Sequence, residues 1–152
     1  MEKADKHIKP EVVEINIPAK MEYIGMIRLS IAAIGERMEF SMEDIEDLKI
    51  GISEVCINTI QHGYEGENSD NSIKLGISVY PDKLKIIVED DGKGFDTSIF
   101  KPSGSADVEG DEGDNSGTGF LLINKLIDEV KYFSVIGSGT KVEMIKYKNT
   151  KL

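Results

Sequence analysis

The sequence predicts an α+β domain in which helices pack on one face of a mostly antiparallel mixed sheet. Segments that alternate apolar and polar residues are typical of strands, and segments with apolar residues every three or four positions are typical of helices. Their order along the chain is strand, helix, helix, strand, strand, loop, helix, strand, strand. Consecutive strands joined by short turns form antiparallel hairpins, so the helices are expected to cover one face of the sheet.

The length and composition fit one soluble domain. The chain has 152 residues, of which 39% are apolar and 30% charged. We predict a single domain over residues 11–148, between tails at residues 1–10 and 149–152. The formal net charge of −10 disfavours a nucleic-acid backbone or an anionic membrane as the partner. The chain has neither an apolar run of the roughly 18 residues needed to span a membrane nor an apolar signal segment, so we expect a cytoplasmic protein.

The first strand and helix follow from simple patterns. Residues 11–17, EVVEINI, alternate as a strand does, and Pro18 interrupts the alternation. Residues 21–38 carry apolar side chains at three- and four-residue spacing, which predicts an amphipathic helix.

The second helix has recognisable signals at both ends. Ser41 and Asp44 form a predicted capping box at its start. The helix is expected to run to about His62 and to stop at Gly63, and the polar residues 64–72 then form a turn.

Two hairpins and a third helix complete the predicted elements. The first hairpin joins residues 72–80 to residues 84–90 through a Pro-Asp-Lys turn. Residues 119–129 have a helical pattern. The last hairpin joins residues 130–136 to residues 140–147 around a Gly-Ser-Gly turn.

A long segment without apolar periodicity lies between the two hairpins. Residues 96–117 are rich in Gly, Ser and Asp, and their acidic run at 107–114 by itself is typical of a solvated loop. A stretch of this length is either a disordered insert or a functional lid.

Polar side chains form a line on the predicted second helix. Glu54, Asn58 and His62 fall within about 80° of one another on a helical wheel, with Asp47 and Gly51 on the same stripe. Apolar residues border this line on both sides, as in the floor of a cleft. Asn offers a carbonyl oxygen to a hard cation such as Mg²⁺, and Glu offers a base. The alternative is that Asn58 and His62 only satisfy buried backbone groups.

Glycines follow an aspartate where the strand ending at residue 90 is expected to stop. Asp90 offers an acceptor, and Gly92 and Gly94 let a ligand approach the backbone, which suits a purine amino group. A turn without a ligand would use the same residue types. The spacing matches neither the Ca²⁺ loop of an EF-hand, nor a GK[ST] phosphate loop, nor a Rossmann fingerprint.

A second glycine cluster, Ser116-Gly117-Thr118-Gly119, precedes a helix expected to begin near Phe120. Backbone N–H groups there, together with the positive end of the helix dipole, can hold phosphate without basic side chains. This property suits an acidic chain, although a flexible loop and helix cap would use the same residues.

Taken in order, the three motifs resemble a known superfamily. Glu54-x-x-x-Asn58, Asp90-x-Gly92-x-Gly94 and Gly117-x-Gly119 resemble the N, G1 and G2 boxes of the GHKL ATPases. The phrases DIEDLKIGISEVCINTIQHGY, SGTGFLLINKLIDEV and GTKVEMIKY resemble the bacterial anti-sigma-factor serine/threonine-protein kinases of the RsbW type. This resemblance implies the two-layer Bergerat fold with three main helices on one face, and an ATP lid over residues 96–117.

The resemblance also implies a nucleotide site. The residues it places there are Asn58, His62, Asp90, Gly92, Gly94, Gly117, Thr118, Gly119 and Thr140. Asn58 would coordinate Mg²⁺, and Asp90 would receive the adenine amino group of ATP or ADP. Thr140 would join the water network around adenine. For His62, a structural role is the alternative.

Catalysis and partners are implied in the same way. Glu54 would be the general base toward a serine of an anti-anti-sigma STAS-domain protein, and Arg28 would lie on the partner-binding face, unless it is an ordinary surface arginine. The family implies an alternative sigma factor as second partner and a homodimer built through the sheet and first helix. The predicted lid lacks Arg, so a lid side-chain contact to the γ-phosphate is not expected.

Other functions fit less well. A nucleotide-gated anti-sigma binding module with little or no kinase activity is the main alternative, and the intact Glu54, Asn58 and Asp90 count against it. A sensor histidine kinase would need a preceding phosphoacceptor helix, and a topoisomerase or mismatch-repair ATPase would need further domains.

Overall fold

The structure is a computed structural model that describes residues 8–94 and 116–148, with only the backbone of residues 116–120. The predicted tails at residues 1–10 and 149–152, and the predicted lid at residues 96–117, lie wholly or mostly outside the described residues. The described elements are, in chain order, β1 (Glu11–Ala19), a 3-10 turn (Met21–Tyr23), α1 (Ile24–Arg37), α2 (Met42–Asn58), a π turn (Thr59–Gly63), β2 (Asn68–Val79), β3 (Lys83–Asp90), α3 (Ser116–Leu126), β4 (Glu129–Ser134) and β5 (Thr140–Tyr147).

The five described strands form one sheet in the order β1-β2-β3-β5-β4, and each neighbouring pair is antiparallel. The register of β2 with β3 ends at Ile73 opposite Asp90, and that of β3 with β5 ends at Asp90 opposite Thr140. The ends of three strands therefore meet at one edge of the sheet, around Asp90.

Alternate residues of the central strands are buried under the helices. Those of β2 and β3 are Ile73, Leu75, Ile77, Leu84, Ile86 and Val88. They pack in one core cluster with the buried faces of α1 and α2 and with Ile123 of α3. The opposite face of the sheet keeps exposed apolar side chains, including Val12 at 58% and Phe133 at 51% exposure. The predicted α+β fold, with helices on one face of an antiparallel sheet, is confirmed.

The second helix ends differently from the prediction. The Ser41 hydroxyl accepts the Asp44 N–H at 3.0 Å, so the predicted cap is present. The α-helix ends at Asn58, however, and a π turn continues to Gly63. The chain reverses at Glu65 and Gly66, whose φ angles are 61° and 127°, rather than at Gly63.

The third helix begins and ends earlier than predicted. It starts at Ser116 instead of residue 119, so that the second glycine cluster lies in its first turn. It stops at Leu126 because Glu129 already pairs with Ile145 in the sheet. Strand pairing with a distant segment therefore overrides the local helical pattern.

Two features hold α3 against α2. Gly51 is buried, and a Cβ there would lie 2.9 Å from the Cγ1 and Cδ1 atoms of Ile127, so glycine allows the close approach. Lys146 of β5 is buried and donates to the Leu126 carbonyl at 2.9 Å. Its ammonium also lies 3.7 Å, 3.7 Å and 3.8 Å from carboxylate oxygens of Asp44, Asp47 and Asp128 respectively.

Among the described helices, none is long and apolar enough to cross a membrane.

Candidate nucleotide and phosphotransfer site

The site begins on the last turn of α2. Glu54 and Asn58 are half-buried there, one turn apart, and Val55 and Cys56 beside them point into the core. The Asn58 side-chain nitrogen is buried and has no hydrogen-bond partner among the described residues. A buried amide without a partner is costly in a folded protein, so its position indicates a polar ligand.

Cys56 does not contribute a nucleophile. Burial raises the pKa of its thiol to about 12, so the thiol stays protonated at physiological pH. Cys56 therefore acts as an apolar core residue.

The π turn carries the next polar residues toward the sheet. Turns of this type occur often at functional sites. Thr59, the first residue of the turn, is buried, and its hydroxyl donates to Asp90 Oδ2 at 3.3 Å. His62 is half-buried in the same turn, and its predicted contact with the nucleotide stays a prediction.

Asp90 is the buried acceptor at the end of β3, with 8% exposure. Its Oδ1 accepts the Gly92 N–H at 2.8 Å, which closes a local turn. Burial raises the pKa of this carboxyl above the ordinary value of 3.8, although hydrogen bonds from Gly92 and Thr59 oppose the shift.

The two glycines after Asp90 are required by close backbone contacts. A side chain on Gly92 would collide with the carbonyl group of Gly63, and one on Gly94 would collide with the carbonyl oxygen of Val135. Gly94 also has a φ of 70°, which favours glycine. Both glycines thus allow this turn to fit between the π turn and the β4–β5 loop.

Thr140 lies beside Asp90, as its predicted place in the site requires. The two residues are opposite each other in the β3–β5 register, and the Thr140 backbone hydrogen-bonds the Asp90 carboxylate. The Thr140 and Ser134 hydroxyl oxygens are 2.9 Å apart, and Ser134 also donates to the Gly139 carbonyl at 3.1 Å. A row of hydroxyls therefore continues from Asp90 along the sheet edge.

The phosphate side of the site is described only by its backbone. Gly117, Thr118 and Gly119 lie in the first turn of α3, where N–H groups have no partner within the helix. The side chain of Thr118 and the predicted lid before it lie outside the described residues.

Arg28 lies on α1 close to α2. Its guanidinium donates to the Ser53 hydroxyl at 3.2 Å, and Ser53 in turn donates to the Lys49 carbonyl at 2.7 Å. Ser53 immediately precedes Glu54. On the same helix Met26 and Leu29 are exposed at 58% and 73%.

Sequence reasoning did not find two residues that shape this site. Thr59 follows Asn58 directly, and its polar side chain next to the helical stripe was the available signal. Tyr64, whose hydroxyl accepts the Asp91 N–H at 2.8 Å, gave no signal, because its partners depend on the register of distant strands.

Comparisons with known proteins agree with this geometry. Residues 17–146 match the family model described as the histidine kinase-like ATPase domain. The chain is 39% identical over 147 residues to the serine-protein kinase RsbW of Bacillus subtilis (strain 168), covering 91% of this chain and 87% of the relative. The RsbW of Halalkalibacterium halodurans is 34% identical over 144 residues, with 91% and 85% covered.

Solved structures support the fold. The structure of the RsbU and RsbW domains of Rv1364c from Mycobacterium tuberculosis matches with a TM-score of 0.64 at 17% identity, over 93% of this chain and 33% of that one. The histidine kinase domain of the Erythrobacter litoralis EL346 blue-light activated histidine kinase matches with a TM-score of 0.53 at 23% identity, over 86% and 61%. These two likenesses support the fold alone, and the expectation of ATP binding comes from the family model and the sequence relatives. By the family model and its curated relatives, this chain belongs to the RsbW family of serine-protein kinases, with a histidine kinase-like ATPase domain.

Proposed function

We propose that this kinase is an anti-sigma factor that binds and inhibits an alternative sigma factor and uses Mg-ATP to phosphorylate a serine of an anti-anti-sigma STAS-domain protein. One observation carries the catalytic part. Glu54 and Asn58 lie one turn apart on α2, and Thr59, the next residue, is hydrogen-bonded to Asp90. The proposed base and metal ligand are therefore one helical turn apart, and the residue after the ligand contacts the proposed adenine acceptor. The anti-sigma part rests on the resemblance to the RsbW-type kinases.

Adenine recognition is assigned to the Asp90 turn. Asp90 would accept the adenine amino group, while Gly92 and Gly94 shape the turn that holds it by passing close to the carbonyl groups of Gly63 and Val135. Thr140 supplies a hydroxyl next to the acceptor. The first turn of α3 would receive the phosphates through backbone N–H groups, under a lid formed by residues 96–117.

Magnesium fits the donor set, although this chain would supply few of its ligands. Within the described ranges no group of three or more His, Cys, Asp or Glu residues could hold a metal ion. Mg²⁺ commonly takes one protein oxygen together with waters and substrate phosphates, and the Asn58 amide, with its unpartnered nitrogen, is free to turn its oxygen toward such an ion. The ion, when bound, would neutralise charge on the phosphate oxygens.

We assign the role of general base to Glu54. The serine hydroxyl of the substrate protein would give its proton to the Glu54 carboxylate as its oxygen forms a bond to the γ-phosphorus of ATP. The bond from that phosphorus to the β–γ bridging oxygen then breaks, and ADP leaves. Phosphoryl transfer depends mainly on positioning and charge stabilisation, and the half-buried position of Glu54 on a rigid helix suits the positioning.

Partner binding is assigned to α1 and to the open face of the sheet. Arg28, Met26 and Leu29 are exposed side chains on α1 that a protein partner would contact. The uncovered face of the sheet, with Val12 and Phe133 exposed, suits the homodimer that the family implies. A cytoplasmic location is part of the same proposal.

The test is a phosphorylation assay with the purified protein, Mg-ATP labelled at the γ-phosphate, and a STAS-domain protein from the same organism. We expect seryl phosphate on the STAS protein, and we expect a sigma factor from that organism to bind the kinase on a column. Sigma binding without phosphorylation would support the nucleotide-gated binding module instead. Phosphorylation without sigma binding would contradict the anti-sigma role.

A further inference from the structure

The hydroxyl of Tyr64 occupies a specific place between two strands. The last pair of the β2–β3 register is Ile73 opposite Asp90, so the next pair along would be Ser72 opposite Asp91. The Tyr64 hydroxyl lies between these two backbones: it donates to the Ser72 carbonyl at 2.7 Å and accepts the Asp91 N–H at 2.8 Å. The side chain thus bridges the strands at the point where their ladder ends.

Neighbouring contacts fix the same turn from the same segment. The Gly63 carbonyl accepts the Lys93 N–H at 3.0 Å, and the Glu65 carboxylate lies 2.9 Å from the Lys93 ammonium. The Glu65 and Lys93 side chains are 69% and 58% exposed, so their ion pair contributes little. The phenol of Tyr64 is half-buried and packs against the core, which makes its two hydrogen bonds the stronger constraint.

The position of the backbone at Asp91 and Gly92 determines where the Asp90 carboxylate lies. The Asp91 N–H belongs to the peptide group that follows Asp90, and the next N–H, that of Gly92, is bonded to Asp90 Oδ1. Holding the Asp91 N–H therefore fixes the backbone around which the Asp90 side chain turns. Without the hydroxyl, Asp91 would either close toward Ser72 or leave its N–H without a partner.

We propose that Tyr64 is a positioning residue for nucleotide recognition: its hydroxyl separates β2 from β3 at the end of their ladder and sets the place of the Asp90 acceptor. This inference rests on the proposed adenine contact of Asp90. It predicts that Tyr64 acts on the exocyclic amino group of adenine through Asp90, whereas a residue that only stabilises the fold would affect all nucleotides alike.

The test compares ATP with purine riboside triphosphate, which lacks the amino group, as ligands of the wild-type chain and the variant Tyr64→Phe. Phe keeps the ring and its packing but removes the hydroxyl. We expect the variant to bind ATP about tenfold more weakly, and to bind the purine analogue within about twofold of wild type. The KM for ATP should rise by a similar factor, with kcat within about twofold.

Tyr147→Phe is the matched control, because the Tyr147 hydroxyl donates to Glu129 at the opposite end of β5 from the Asp90 turn. This variant should leave both affinities unchanged. Equal affinities of Tyr64→Phe and wild type for ATP would overturn the inference, and so would an equal loss for both nucleotides. If wild type itself bound ATP and the analogue equally, the proposed contact of Asp90 would be wrong, and this inference with it.

Discussion

The two ends of α2 carry polar side chains on one stripe of the helix. The two ends differ in whether these side chains have partners within the protein. Near its start, Asp44 and Asp47 lie 3.7 Å from the ammonium of the buried Lys146. At its end, the Asn58 side-chain nitrogen is buried without a partner in the described part of the chain. The residues lie on the same helix, but within the described ranges only the first group has partners.

The difference distinguishes polar side chains that stabilise the fold from polar side chains that are available to a ligand. Polar groups that hold a fold together have their partners within it, because an unpartnered buried group lowers stability. A buried group that lacks a partner is kept for a ligand or for strain that serves function. On this basis the start of α2 holds α3 and β5 in place, and the end of α2 is the proposed nucleotide-binding end.

Replacing Lys146 should have the largest effect on stability. Lys146→Met leaves the nearby carboxylates and the Leu126 carbonyl without their cation, and we expect a loss of about 2 to 3 kcal/mol in the free energy of unfolding. Urea denaturation measures this loss. Lys141→Met is the control, since its contact to Glu89 is 3.9 Å and exposed, and it should change stability by less than about 0.5 kcal/mol. Equal effects of the two variants would show that the cluster is not structural.

Asn58 should behave in the opposite way. Asn58→Ala removes a side-chain nitrogen that has no partner among the described residues, so the free energy of unfolding should change by less than about 1 kcal/mol. ATP affinity measured with magnesium should fall at least tenfold, about 1.4 kcal/mol, while affinity measured with EDTA stays close to wild type. A loss of the same size with and without magnesium would contradict the assignment of Asn58 as the metal ligand.

Gly51 lies midway along the stripe, and its substitution tests how closely α2 packs against the end of α3. In Gly51→Ala the new Cβ would lie 2.9 Å from the Ile127 side chain. Overpacking should outweigh the gain in helix propensity and leave a net loss of about 1 kcal/mol in thermal or urea unfolding. Gly25→Ala on α1 is the control, because the nearest atom is a flexible Arg28 nitrogen at 3.8 Å; it should be neutral or stabilising. If both variants stabilised the protein, α3 would not depend on the glycine.

The smallest effect concerns pH. The pKa of Asp90 is raised above 3.8 by burial, and its ionised form is the proposed acceptor for adenine. ATP affinity should therefore be constant near neutral pH and fall on acidification, starting at a higher pH than for an ordinary aspartate. Calorimetric titrations between pH 7.5 and pH 5 measure this dependence, with Asp90→Asn as the variant that should not show it. An identical pH profile in the variant would assign the titration to another group.

Much of the fold and part of the site could be read from local patterns. The boundaries of β5, the Ser41 cap and the spacing of Glu54, Asn58 and Asp90 follow from neighbours in the sequence. The bond from Thr59 to Asp90 joins residues 31 positions apart, and its existence depends on how the π turn meets the sheet.

The remaining features depend on long-range register. Tyr64 contacts Ser72 and Asp91 because two strands end beside it, and no local pattern encodes that meeting. Lys146 occupies an inward position of an alternating strand, where a lysine would not be expected without knowing that aspartates from two other segments surround it. Such residues become predictable only after the topology is known.

The most direct test of the central claim measures phosphotransfer by two variants on the same helix stripe. In Glu54→Gln we expect the rate of serine phosphorylation to fall at least about 100-fold, because the base is lost, while ATP affinity stays within about twofold. Asp47→Asn, which alters only the Lys146 cluster, should keep the wild-type rate. If Glu54→Gln phosphorylated its substrate as fast as wild type, the end of α2 would not be the catalytic end.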